Sequence, residues 1–167
     1  MITSKEQLIK ELADALSDHS FDGYDNFWYI SITKQEINVR IDSDYTGVDS
    51  DLDDGEEIVK IAPLPSREGF EIMEEFADAH PGRHQIYLYK ALAKRHPFSA
   101  FRGAVENCGL LQQWYDWKDE AMKDKARDWM HFNDVDFKDG KIVALGTQTW
   151  FRDEDDGDDD SEEESPQ

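Results

Sequence analysis

Glu57-Ile-Val-Lys-Ile61-Ala-Pro63-Leu-Pro65-Ser-Arg-Glu-Gly-Phe70-Glu-Ile-Met73-Glu-Glu-Phe76-Ala77 is the stretch in which the chain changes period. Up to Ala62 it is a short run rich in β-branched residues, the mark of a strand. Pro63 and Pro65 end that run. Beyond them Phe70, Met73, Phe76 and Ala77 fall on one helical face, with Glu71, Glu74, Glu75 and Asp78 on the other. Ser66, between the prolines and the first apolar residue, is placed to cap the helix.

Upstream of this switch the chain reads mostly as strand. Ser4 and Gln7 form a capping-box signature. Leu8, Leu12 and Leu16 then recur every fourth residue, so a helix is expected over about 5–16. Asp22-Gly23 reads as a turn. Ile30 and Ile32 alternate with Tyr29 and Ser31. After a turn near Lys34-Gln35, Ile37, Val39 and Ile41 alternate with Asn38, Arg40 and Asp42. Two strands in a hairpin are expected, followed by an acidic loop over 42–57.

Downstream, helices follow one another. Pro81-Gly82 closes the first. Ile86, Tyr89, Leu92 and Ala93 mark a second, which stops at His96-Pro97. Phe98, Phe101 and Val105 mark a third, closed by Gly109. The fourth covers about 110–131. Trp114, Trp117 and Ala121 form one stripe on it, and Tyr115, Met122, Ala126, Trp129 and Met130 an adjoining one. Asp119 and Lys123 are spaced for a surface ion pair. Val135 to Leu145 then reads as a hairpin about Asp139-Gly140, a preferred two-residue turn. The order predicts a segregated α+β fold: an N-terminal helix and small antiparallel sheet, a cluster of four helices, and a C-terminal hairpin. There is no internal repeat.

Charge is unevenly distributed. The chain has 39 acidic and 18 basic residues, a net charge of -21. Residues 153–167 hold ten of the acids and no base. Without them, 29 acidic residues face 18 basic ones, a net of -11. Such a run repels itself and cannot build a core. We therefore expect one domain over 1–151 and a disordered acidic tail over 152–167. Yet from 79 to 105 there are 27 consecutive residues without one Asp or Glu. Arg83, Lys90, Lys94, Arg95 and Arg102 lie in that stretch. The single cysteine, Cys108, allows no internal disulfide. No signal peptide is recognisable at the start, and no run approaches the ~18 apolar residues of a membrane helix. A soluble, cytoplasmic protein is expected.

The helical half carries a resemblance. Its signatures are the Ile61–Ala77 stretch quoted above, Pro97-Phe98-Ser-Ala-Phe101-Arg102, Trp114-Tyr115-Asp-Trp117-Lys118-Asp-Glu120, and Ala126-Arg-Asp-Trp129. Together they resemble uncharacterised protein family 0158, a group of small bacterial proteins. The likeness covers about 58–132 and is weaker in the N-terminal strands. It implies a bacterial cytosolic origin and the same α+β layout. It brings no activity, cofactor or catalytic residue, and the acidic tail lies outside it.

Asp49, Asp51, Asp53 and Gly55 superficially resemble a calcium-binding loop. That loop needs Gly at its sixth position and Glu at its twelfth. Counted from Asp49 these are Asp54 and Lys60, so a solvated acidic loop is the better reading. His80 and His84 have zinc-ligand spacing, but Pro81-Gly82 interrupts the helix that would give the spacing meaning. Cys108 with His96 or His131 could make a nucleophile and base. In Glu-Asn-Cys-Gly at a helix end, an ordinary small buried thiol is the simpler reading. No nucleotide-binding glycine motif or hydrolase elbow occurs. No metal or cofactor is expected.

Three features remain. Ser66-Arg67 opens a helix whose amides could hold an anion, or could be plainly capped. The Trp114, Tyr115, Trp117 and Trp129 aromatics are best read as core, with stacking on a ligand as the alternative. The basic stretch either pairs with the protein's own carboxylates or binds an outside anion. The function expected is that of a non-enzymatic interaction protein. Arg83, Lys90, Lys94, Arg95, Arg102, Ser66 and Arg67 are its candidate binding residues. They would offer a basic, aromatic-containing helical surface to an acidic protein partner, tuned by the acidic tail. A nucleic-acid-binding module is the alternative, opposed by the body's net negative charge. An enzyme built from scattered carboxylates and histidines is a third reading.

Overall fold

Ser4 caps the first helix as its spacing predicts. The Gln7 amide donates to the Ser4 hydroxyl at 3.1 Å, while the Gln7 side chain accepts from the Thr3 amide at 3.0 Å. The box is thus closed one residue before the cap. The computed structural model describes residues 1–42 and 52–151. Helix α1, Lys5–Ser17, buries Leu8, Ile9, Leu12 and Leu16.

The sheet has four strands: β1 (Phe27–Ser31), β2 (Glu36–Arg40), β3 (Glu56–Ile61) and β6 (Gln148–Trp150). Their order is β2-β1-β3-β6, with every neighbouring pair antiparallel. Ile30 lies opposite Ile37 on one side and Val59 on the other. Simple alternation predicts one wet face for β1. Instead Tyr29 and Ile30 are both fully buried. Ile30, Val59 and Ile61 join the main core, whereas Phe27, Tyr29, Leu52 and Ile58 form a second cluster against Trp150. The strand is apolar on both sides because both sides are covered.

That second layer contains the most buried of the described carboxylates, Glu56. Glu56 accepts from the Ser31 hydroxyl at 2.5 Å and from the Asp53 amide at 2.8 Å. Lys34 approaches it at 3.5 Å. A buried charge is tolerated only when held this way.

Four helices follow: α2 (Ser66–Asp78), α3 (Arg83–Leu92), α4 (Pro97–Asn107) and α5 (Leu111–Phe132). Ser66 does not cap α2. Pro65, extended at φ -55° and ψ 141°, is the residue before the helix, Ser66 is already its first residue, and no side chain caps this end. The fixed proline ring allows the helix to begin immediately behind it. Phe76, Phe101 and Trp114 meet edge to face, with ring centres 5.0 to 6.2 Å apart. These rings form the centre of the helical layer. On α5 Trp114, Met122, Ala126 and Met130 are buried, Ala121 and Trp129 pack beside them on the core, and α1 packs along this helix.

Strands β4 (Val135–Lys138) and β5 (Lys141–Ala144) pair with Lys138 opposite Lys141. Asp139 and Gly140 have φ of 53° and 78°, the left-handed pair that such a turn requires. The architecture is α+β, with helix first, sheet next, then four helices and a hairpin. No described helix is long and apolar enough to cross a membrane. Asp49 and Asp51 of the calcium-like loop, and the acidic tail, lie outside the described residues.

Candidate functional site

The acid-free stretch builds α3 and most of α4, and α3 is apolar on two sides. Leu88, Ala91 and Leu92 face the core. Of the four positions whose spacing announces the helix, Leu92 is buried, whereas Ile86, Tyr89 and Ala93 face outward. Ile86 is 61% exposed and Tyr87 47%. Leu88, one turn from Leu92, supplies the buried face that the spacing of Ile86 and Tyr89 suggests for itself. Together with Lys90, the outward residues follow the i, i+3, i+4, i+7 pattern of a helix that packs on something.

The cations frame this outward seam. Arg83, Lys90, Lys94 and Arg95 are all exposed. Arg83 and Lys90 lie on α3, while Lys94 and Arg95 lie just past its end. None of the four pairs with a carboxylate among the described residues, although many other lysines and arginines do. The seam is anchored at Tyr89, whose hydroxyl donates to Asp78 at 2.5 Å. That bond to a carboxylate pushes the phenol pKa up to about 12.

The other predicted residues lie elsewhere. Arg67 is exposed and pairs with Glu71 of its own helix at 3.5 Å. Ser66 and Arg102 line a cleft of about 300 Å³ between the start of α2, α4 and α5. Three of the signature stretches meet here: Pro65 from the first, Phe98 from the second, and Trp114 and Tyr115 from the third. Leu64, Ile72, Met73, Trp114 and Met122 make an apolar floor. Gly69 admits the Phe98 ring, because a Cβ there would stand 3.3 Å from a ring carbon.

Polar groups ring the mouth. Arg102 donates to the Tyr115 hydroxyl at 3.2 Å, a bond that raises the guanidinium pKa. Lys118 lines the wall one turn beyond Trp114. The His19 Nε2 lies 2.7 Å from the Leu64 carbonyl. A carbonyl only accepts, so that nitrogen carries the proton. No described lining residue is acidic. A larger hollow of about 550 Å³ beside the β4–β5 hairpin differs on this point: Asp134 and Asp136 line it, and Lys5 already pairs with Asp136 at 3.2 Å. His19 had no signal in the sequence, and Lys118 entered it only as part of the Trp114–Glu120 signature stretch.

The remaining candidates have structural roles. His80 bonds the Phe76 carbonyl through Nδ1 at 2.8 Å and lies against the Phe76 ring, while His84 is exposed. Burial raises the Cys108 thiol pKa, the opposite of activation. Among the described residues, no three His, Cys, Asp or Glu side chains cluster to hold a metal.

Residues 1–149 match the family described as an uncharacterised protein family, UPF0158. A UPF0158 protein of Pseudomonas aeruginosa is 33% identical over 82 residues, 48% of this chain and 54% of that protein. The chain thus spans about half the length of this curated bacterial relative. No solved structure matches it.

Proposed function

The chain belongs to uncharacterised protein family UPF0158, and we propose that it acts as a non-enzymatic interaction protein of the bacterial cytosol. It docks an acidic segment of a partner protein on the outward face of α3. The observation that carries this reading is the seam of Ile86, Tyr89 and Ala93 framed by unpaired cations. A protein with a net charge of -21 has every means of neutralising four exposed bases. Its described carboxylates leave Arg83, Lys90, Lys94 and Arg95 open. Apolar contact supplies the affinity, and complementary charge supplies encounter rate and partner choice. The ten acids of residues 153–167 compete for the same cations and tune the contact.

Direct nucleic-acid binding is less well supported. Affinity for phosphates grows with the number neutralised, and the net charge of the body works against it.

The test is affinity purification of the full chain from nuclease-treated bacterial lysate, beside the R83E/K90E/K94E/R95E variant. A protein retained by the first and lost by the second should rebind, as a pure acidic protein, only to the unchanged chain. If the same material is held by both, or is nucleic acid, the reading fails.

A further inference from the structure

We propose that the cleft between α2, α4 and α5 is a binding site for a small organic anion with an apolar body, an aromatic or medium-chain carboxylate. The proposal is independent of the α3 docking face, because Lys90 and its neighbours do not line this cleft.

The composition of the walls points to such a ligand. Acidic residues outnumber basic ones by 39 to 18, yet none of the described ones lines this space. The bases that do, Arg102 and Lys118, pair with no carboxylate among the described residues. Arg102 is held by the neutral Tyr115 hydroxyl instead, and Glu106, one turn along α4, acts on its charge without forming an ion pair with it. Pro65, Ser66 and Gly69 place the uncapped first turn of α2 on the same wall. The Glu68 amide already donates to the Pro65 carbonyl, but the first amides of this turn and the helix dipole add positive potential without a third full charge.

The floor sets the rest of the ligand. Ile72, Met73, Trp114 and Met122 offer it only hydrocarbon, sulfur and ring surface, and the half-exposed Phe98 ring stands beside Gly69. A cavity of about 300 Å³ is at the small end for ligand sites. Two bases and a helix end suit a single carboxylate better than a polyphosphate, which would leave the floor unfilled and charge unmatched. The carboxylate would lie between Arg102, Lys118 and the first turn of α2, and its apolar body would cover Trp114 and Met73.

The test is amide and indole NMR of the full chain, titrated with 2-naphthoate, octanoate, the neutral 2-naphthamide and inorganic phosphate. The expected result is saturable shifts with the carboxylates at Ser66, Arg67, Gly69 and the Trp114 indole. The amide should bind about tenfold more weakly. R102Q and K118Q should each weaken the carboxylate by about tenfold, with spectra otherwise unchanged. Both side chains are exposed, so folding is not at risk. G69L should drive Phe98 into the cleft and abolish binding. The proposal is overturned if no carboxylate gives saturable shifts, if the neutral amide binds as well, if phosphate alone binds, or if neither charge variant changes the affinity.

Discussion

Arg102 donates to the Tyr115 hydroxyl at 3.2 Å, tying α4 to α5 across the mouth of the cleft. The bond aims the guanidinium at the space above Trp114 and contributes little to folding, since both side chains are exposed. Tyr115→Phe removes the acceptor and keeps the ring. It should shift Tm by less than about 2 °C. It should weaken 2-naphthoate binding about threefold, because the base loses its fixed position. Calorimetric melting and the NMR titration read the two effects separately.

Glu56 is the opposite case, a carboxylate buried for structure. Its removal takes the acceptor from the Ser31 hydroxyl proton and the Asp53 amide, and takes one of the carboxylates from Lys34. Glu56→Ala should cost about 3 kcal/mol, a fall in Tm of roughly 6–12 °C. Burial alone would pull the Lys34 pKa down. The Asp53 hydrogen bond and the charges of Glu56 and Asp53 outweigh it and raise the pKa above the ordinary 10.5. A raised lysine stabilises fully below its unfolded pKa and loses that contribution as pH climbs through the folded value. The Glu56→Ala penalty should therefore shrink above about pH 10.5.

Tyr89 should ionise late. The Asp78 carboxylate holds its pKa at about 12. Its stabilising contribution is intact below pH 10 and disappears as pH passes 12. Asp78→Asn should return the phenol towards 10, read from its ring resonances in an alkaline NMR titration. An unchanged pKa would mean that the Tyr89–Asp78 bond does not form in solution and that the outward seam is unanchored.

Gln35 joins the hairpin to the sheet. Its side-chain amide accepts from the Ile142 amide at 2.5 Å and donates to the Ile142 carbonyl at 3.0 Å, as a strand neighbour would. Gln35→Ala should cost about 2 kcal/mol and speed hydrogen exchange in β4 and β5. Gln35 also has a φ of 59°. Gln35→Gly loses the same bonds but relieves that strain, so it should be milder than alanine by about 1 kcal/mol.

What the sequence revealed follows what is local. Ser4 with Gln7, the period switch after Pro65 and the Asp139-Gly140 turn act within a few residues, and each stands where its chemistry predicts. Three features escaped because they depend on distant partners. Strand β6 is three residues with no usable period, and it exists because Glu56 and Ile58 of β3 offer it an edge. The outward face of α3 reads as its inward face, because Ile86 and Tyr89 have helical spacing whichever way they point. The cleft draws on His19, Ser66, Arg102 and Lys118, which are separated by up to a hundred residues. Of these, Ser66 and Arg102 read in the sequence as candidate binding residues, and their meeting in one cavity was not legible.

Hydrogen exchange of the full chain, with and without the purified acidic partner, tests the α3 docking face most directly. The account predicts slowed exchange concentrated in residues 83–95 on binding, lost in the four-residue charge-reversed variant. Protection centred on another element, with 83–95 unchanged, would contradict it.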